Sequence, residues 1–123
     1  AFEFIRKTEF PECCSRIECN YFYADLSSCK ILYEYDWGEA SEEERNQIHL
    51  FEVELDDEQP EKRDMRMYDK AYDAMWDHDD IQTVLCCARA YFAGRQTDEP
   101  VWELLSSKPA RTTADLTEHL RKP

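Results

Sequence analysis

The sequence predicts an α+β fold, a small two-layer domain in which a strand, a helix and a β-hairpin are followed by four helices. Three observations carry that expectation. Two short runs alternate apolar residues with period two, Ile31-Tyr33-Tyr35-Trp37 and His49-Phe51-Val53-Leu55, as half-buried strands do. Two later segments repeat apolar residues at helical spacing, Met65-Tyr68-Tyr72-Met75-Trp76 and Ile81-Val84-Leu85-Ala88-Tyr91. The 123 residues suit one domain, 1–123, and 42% apolar content with three Trp, seven Tyr and six Phe is enough to build a core. Residues 1–58 are expected to hold the strand, helix and acidic hairpin, and residues 59–123 the helical half.

Taken in order, Phe2 and Phe4 alternate and predict a strand over 2–9. Pro11 suits a first helical position, and Cys14, Ile17 and Tyr21 lie at helical intervals, so a helix is expected over 12–23. Leu26-Ser27-Ser28 reads as a turn. Residues 30–37 and 48–55 then form the hairpin, with a helical turn at 41–46 where Ser41 and Glu44 make a capping box. Pro60 opens a helix over 61–77. Asp79 or Asp80 caps the next, which Gly94 ends. Thr97 or Asp98 caps a short helix through Trp102, Leu104 and Leu105, Pro109 breaks it, and a last helix carries Leu116 and Leu120.

Charge is the most uneven property of the chain. The formal net charge is −13, and between Glu34 and Glu58 eleven Asp and Glu stand against one base, Arg45. A negative field of that density repels nucleic acid and anionic membrane and attracts basic protein surfaces. No direct nucleic-acid partner and no membrane partner is therefore expected, and no run of 18 apolar residues is present to span one. On the expected hairpin, Glu34 and Asp36 would stand beside Glu52, Glu54 and Asp56. Like charges side by side on a sheet cost a few tenths of a kcal/mol per pair, roughly, so stability alone does not select them.

Six cysteines, Cys13, Cys14, Cys19, Cys29, Cys86 and Cys87, are candidates for three disulfides. Joining Cys13/Cys14 to the distant Cys86/Cys87 would close a loop of about 70 residues and restrict the unfolded chain by about 4 kcal/mol. Against a secreted scaffold stand the 35% charged residues, only two glycines and no Asn-x-Ser/Thr site. The start at Ala1 fits either a trimmed Met or a cleaved signal peptide. A reduced, cytoplasmic protein is the expectation, and a secreted one the alternative.

The signatures of catalysis and metal binding are missing from the pattern. Cys13-Cys14-x4-Cys19 is not a zinc knuckle, and Asp77-His78-Asp79-Asp80 lacks the glycine of a calcium loop. Gly38 and Gly94 are the only glycines, so neither a phosphate-cradling loop nor a nucleophile elbow can be built. An enzyme would need a pocket joining His78 or His49 to a carboxylate. No metal, no cofactor and no catalytic residue is expected.

The expected function is binding and inhibition. An acidic face of Glu34, Asp36, Glu42, Glu43, Glu44, Glu52, Glu54, Asp56, Asp57 and Glu58 would sequester a basic partner, such as a nuclease or another nucleic-acid-handling protein, by imitating phosphate charge. Tyr35 and Trp37 would be the aromatic anchors. Immunity proteins and anti-defence inhibitors offer an analogy resting on charge and size alone. The alternative is a secreted, disulfide-stabilised effector or venom- or saliva-type ligand of a host protein or receptor.

Overall fold

Helices and strands interleave along the whole chain, with six α-helices and two small antiparallel sheets among the described residues. The computed structural model describes residues 1–78 and 80–121, with residues 77 and 78 by their backbone only. The mixed helix-and-strand character matches the expectation, but the order of elements does not. The expected division into a sheet half and a helical half is replaced by strands contributed from both ends of the chain.

The first element, α1, Phe2–Glu9, is a helix where a strand was expected. Ile5 breaks the Phe2/Phe4 alternation and completes an i, i+3 pair with Phe2. Both bury, while Phe4 is exposed. The segment expected as a helix over 12–23 instead turns irregularly into the strand β1, Asn20–Tyr23. Side chains hold that turn: Ser15 Oγ donates to Glu3 at 2.6 Å, and the Cys14 N–H donates to the Glu61 carboxylate at 2.8 Å. Ile17, which a helix would have buried, is 80% exposed.

The first arm of the expected hairpin is the helix α2, Leu26–Trp37. Asp25 caps it by accepting from the Ser28 N–H at 2.7 Å. Its buried residues Cys29, Leu32 and Tyr33 lie at i, i+3 and i+4, and Leu32 beside Tyr33 is incompatible with a two-residue repeat. The helical turn at 41–46 is present as α3, Glu42–Arg45, with Ser41 Oγ accepting from the Glu44 N–H at 3.1 Å. The second arm, β2, Phe51–Leu55, is a strand as expected. Its partner, however, is β5, Ala110–Asp115, and not residues 30–37.

Between them, β3, Glu61–Asp64, and β4, Trp102–Ser106, replace the expected helical segments, and β4 is the central strand of the sheet β1-β4-β3. The helix expected over 61–77 begins only after β3, as α4, Arg66–Asp73, and continues as a π-helical stretch, Ala74–His78. The helix α5, Ile81–Phe92, agrees with its expected stripe through Val84, Ala88 and Tyr91. Gly94, at φ +77°, ends it. A final helix, α6, Thr117–Arg121, buries Leu120 as expected.

The larger core joins Phe2 and Ile5 of α1 to Ala71, Ala74, Val84, Ala88, Tyr91 and Phe92, with the Phe2, Tyr68 and Tyr91 rings in mutual contact. Along α4 and the π-helical stretch that continues it, the expected stripe is only partly inward. Tyr68 packs, whereas Tyr72, Met75 and Trp76 are exposed, and the small Ala71 and Ala74 take the core positions. A second cluster joins Cys29 and Tyr33 of α2 to Leu120 of α6, with Ile48 and Leu50 against it. That cluster anchors the acidic stretch to the rest of the molecule.

Candidate functional site

The acidic residues do not form a hairpin face. Glu34, Tyr35, Asp36 and Trp37 occupy the last turn of α2, and Glu42, Glu43 and Glu44 lie in α3. Glu52 and Glu54 lie on β2, and Asp56, Asp57 and Glu58 follow it. The structure therefore separates the predicted residues into two groups with different electrostatic surroundings.

On β2 the acids have partners from β5. Arg111 donates to Glu54 at 2.6 Å, and the Thr113 hydroxyl donates to Glu52 at 2.8 Å. Asp57 accepts from Ser106 Oγ at 2.5 Å and lies 3.9 Å from Lys108 Nζ. The Ser106 bond, then the Gln59 N–H, hold the Asp57 carboxyl below its ordinary range.

The α2–α3 group is different. Glu34, Asp36, Glu42, Glu43 and Glu44 are all exposed, and none has a cationic partner within ion-pair distance among the described residues. Arg45, the single base of the stretch, is engaged elsewhere. Its guanidinium donates to the Trp37 carbonyl at 2.9 Å and to the Gly38 carbonyl, so its hydrogen bonds go to backbone at the end of α2. Tyr35 is 61% exposed and Trp37 37% exposed, with Trp37 and His49 both lining a small pocket against the second core.

This negative surface extends beyond the predicted residues. Tyr35 borders a cleft of about 510 Å³ that is also lined by Arg66, Asp69, Lys70 and Asp73 of α4 and by Asp98 and Glu99. Burial raises the Asp69 carboxyl above its usual range; the positive charge of Arg66 opposes that rise, and the negative charges of Asp36 and Asp73 add to it. Arg66 Nε and Asp69 Oδ2 are buried there without a hydrogen-bond partner among the described residues. Sequence spacing could not bring Asp36 into the field of Asp69, because their proximity comes from elements distant in the chain.

Sequence reasoning also missed the buried polar centre. Glu103, 1% exposed on the central strand, accepts from Arg16 Nε at 3.2 Å and from Tyr91 Oη at 2.7 Å. The Arg16 guanidinium is sandwiched between the Tyr21 and Tyr68 rings, 4.3 and 4.6 Å from their centroids. Burial pushes the Glu103 carboxyl up, opposed by its Tyr91 and Arg16 partners. A second buried acid, Asp64, accepts from the backbone of Arg66, Thr97 and Val101 and from the Thr97 hydroxyl. It fastens the loop before β4. Both acids are already satisfied by the protein itself, so their arrangement is structural.

All six cysteines are free thiols. The considered pairing of Cys13/Cys14 with Cys86/Cys87 is not made. Cys13 Sγ lies against Arg63 Nη2 at 3.4 Å, Cys87 is buried in the larger core, and Cys86 is exposed. Burial, then the hydrogen bonds of Glu61 and Cys19, raise the Cys14 thiol well above its ordinary value. Among the described residues no group of three or more His, Cys, Asp or Glu converges as metal ligands would, and no helix is long and apolar enough to cross a membrane. Of the Asp77-His78-Asp79-Asp80 junction, Asp79 and the side chains of Asp77 and His78 lie outside the described residues. Asp80 caps α5 by accepting from the Thr83 N–H at 3.1 Å.

No family model, curated protein or solved structure matches the chain.

Proposed function

We propose that this chain is an acidic binding protein that sequesters a basic partner, and that the partner handles nucleic acid. The observation that supports the reading is the uncompensated charge of the α2–α3 edge. Five exposed carboxylates, Glu34, Asp36, Glu42, Glu43 and Glu44, stand without a cationic partner among the described residues, while Arg45, the one base between Glu34 and Glu58 in the sequence, donates to backbone carbonyls. Such a field accelerates encounter with a cationic surface and discriminates against anionic ones. Tyr35 and Trp37 lie within the same turn and supply apolar area for the docked state. The β2 acids, which have partners of their own, contribute long-range field and less contact.

The test is affinity capture at about 0.05 M salt, with the wild-type chain and a variant carrying Ser at 34, 36, 42, 43 and 44. The wild type is expected to retain basic proteins that the variant loses, and to inhibit their nucleic-acid activity at stoichiometric ratio. Equal retention by both chains, or retention of neutral and acidic proteins, would overturn the reading.

A further inference from the structure

Of the strand edges left unpaired among the described residues, those of β1 and β2 border the same cleft. Among the described residues, the outer edge of β1 in the sheet β1-β4-β3 has no strand beside it, and the outer edge of β2 in the pair β2-β5 has none. A cleft of about 410 Å³ is lined by residues 21–26 and Cys29, the last two positions from α2, and by Leu50–Val53 with Leu116, with no residue of β4 or β5 in its walls.

The register shows which backbone groups turn toward it. Ala24 donates to the Trp102 carbonyl, so with antiparallel alternation Phe22 and Asn20 bond toward β4, and Tyr21 and Tyr23 turn their N–H and C=O outward. On β2, Leu50 accepts from Leu116 and Asp56 donates to Pro109, which places Leu50, Glu52, Glu54 and Asp56 toward β5. The extra residue at the register shift is Thr113 of β5, so β2 keeps its alternation, and Phe51 and Val53 turn outward. Both rims thus offer unpaired donors and acceptors at strand spacing.

We propose that this cleft binds an extended segment of a basic protein by strand addition, a lysine- or arginine-bearing peptide pairing with β1, β2 or both. Main-chain bonds supply the affinity of that mode and side-chain pockets its selectivity. The exposed rings of Tyr21, Tyr23 and Phe51 border the cleft and offer apolar surface for alternate residues of the segment. Charge decides the occupant. Glu52 and Asp25 stand at the rim, and a chain of net charge −13 disfavours a second copy of itself at that edge. The Asn-Tyr-Phe-Tyr sequence of β1 has no proline, lysine or bulge of the kinds that commonly protect an edge. The inference rests on the basic-partner reading above and adds the mode of contact.

Amide hydrogen exchange and chemical-shift mapping of the whole chain, titrated with a blocked seven-residue peptide of alternating lysine and valine, test it. The expected result is slowed exchange at the Tyr21, Tyr23, Phe51 and Val53 amides. Binding should be about tenfold weaker or worse when alternate peptide nitrogens are methylated, the equivalent of one or more lost hydrogen bonds. Shifts confined to α2 and α3, or an N-methylated peptide that binds equally well, would overturn strand addition and leave the acidic-surface reading standing. A glutamate–valine peptide that protects the same amides equally would overturn the basic occupant and the acidic-surface reading together. Concentration-dependent protection of these amides without peptide would assign the cleft to a second copy, and absence of any binding would overturn the proposal.

Discussion

Glu103 stands in the central strand where an apolar residue would ordinarily be, and it is held there by Arg16 and Tyr91. Removing one partner of a buried ion pair leaves the other desolvated and uncompensated. Arg16→Ala is expected to destabilise the fold by about 3 kcal/mol, the low end of the range for a buried pair because the Arg16 side chain keeps 18% exposure. Replacing Arg16 and Glu103 together by Met should recover most of that loss, as urea unfolding would measure. If the double variant is no better than Arg16→Ala alone, the pair is not the source of the effect. The pH dependence follows from the raised Glu103 carboxyl. Between its ordinary value of 4.5 and its higher folded value, the native state holds more of the proton than the unfolded chain does. Its contribution is therefore fully present below pH 4.5 and is lost as pH rises through the folded value. Glu103→Gln should remove that decline, so the stability difference between wild type and variant should shift against the wild type across this window. A pH-independent difference would contradict the assigned direction.

At the scale of elements, α5 shows local grammar and tertiary burial in agreement. Asp80 caps its start. At its end the Gly94 N–H donates to the Tyr91 carbonyl and the Arg95 N–H to the Ala90 carbonyl, the paired bonds of a Schellman motif. Gly94 sits at φ +77° with open space around its Cα, so an added methyl meets no neighbour and only the backbone conformation is penalised. Gly94→Ala is expected to cost about 1 kcal/mol, seen as a lower denaturant midpoint with an unchanged slope. A shift near zero would mean that the helix ends without the left-handed residue. The strands obey a different logic. The Glu61-Lys62-Arg63-Asp64 sequence has no strand propensity of its own. It becomes β3 because β4 offers a ladder and because Asp64 can satisfy the loop before β4.

For the molecule as a whole, the charge of −13 sets both a liability and an opportunity. Self-repulsion among exposed carboxylates opposes the compact state, and salt screens it over about 8 Å at physiological ionic strength. Sodium chloride is therefore expected to raise the melting temperature by several degrees between about 0.02 and 0.5 M, while weakening any complex with a basic partner. Opposite signs for the two effects would be diagnostic of an acidic surface kept for binding. A melting temperature that falls with salt would show that attractive ion pairs such as Arg111–Glu54 outweigh the repulsion.

The sequence by itself determined the mixed helix-and-strand character, the span of α5 with its cap and its glycine stop, the helical turn after Ser41, and the concentration of acid between Glu34 and Glu58. These are local properties: periodicity over several turns, short-range capping and composition need no knowledge of distant residues. Only the tertiary structure decided that 26–37 is a helix, that β2 pairs with β5, and that 102–106 is the central strand. In short apolar runs, alternation and helical spacing overlap, and the choice falls to whichever partner covers the exposed face. The candidate site divided in the same way. Its residues could be named from charge alone. Which carboxylates lack partners, and which strand edges are open beside one another, depended on Arg45, Arg111, β4 and β5 reaching their positions in the fold.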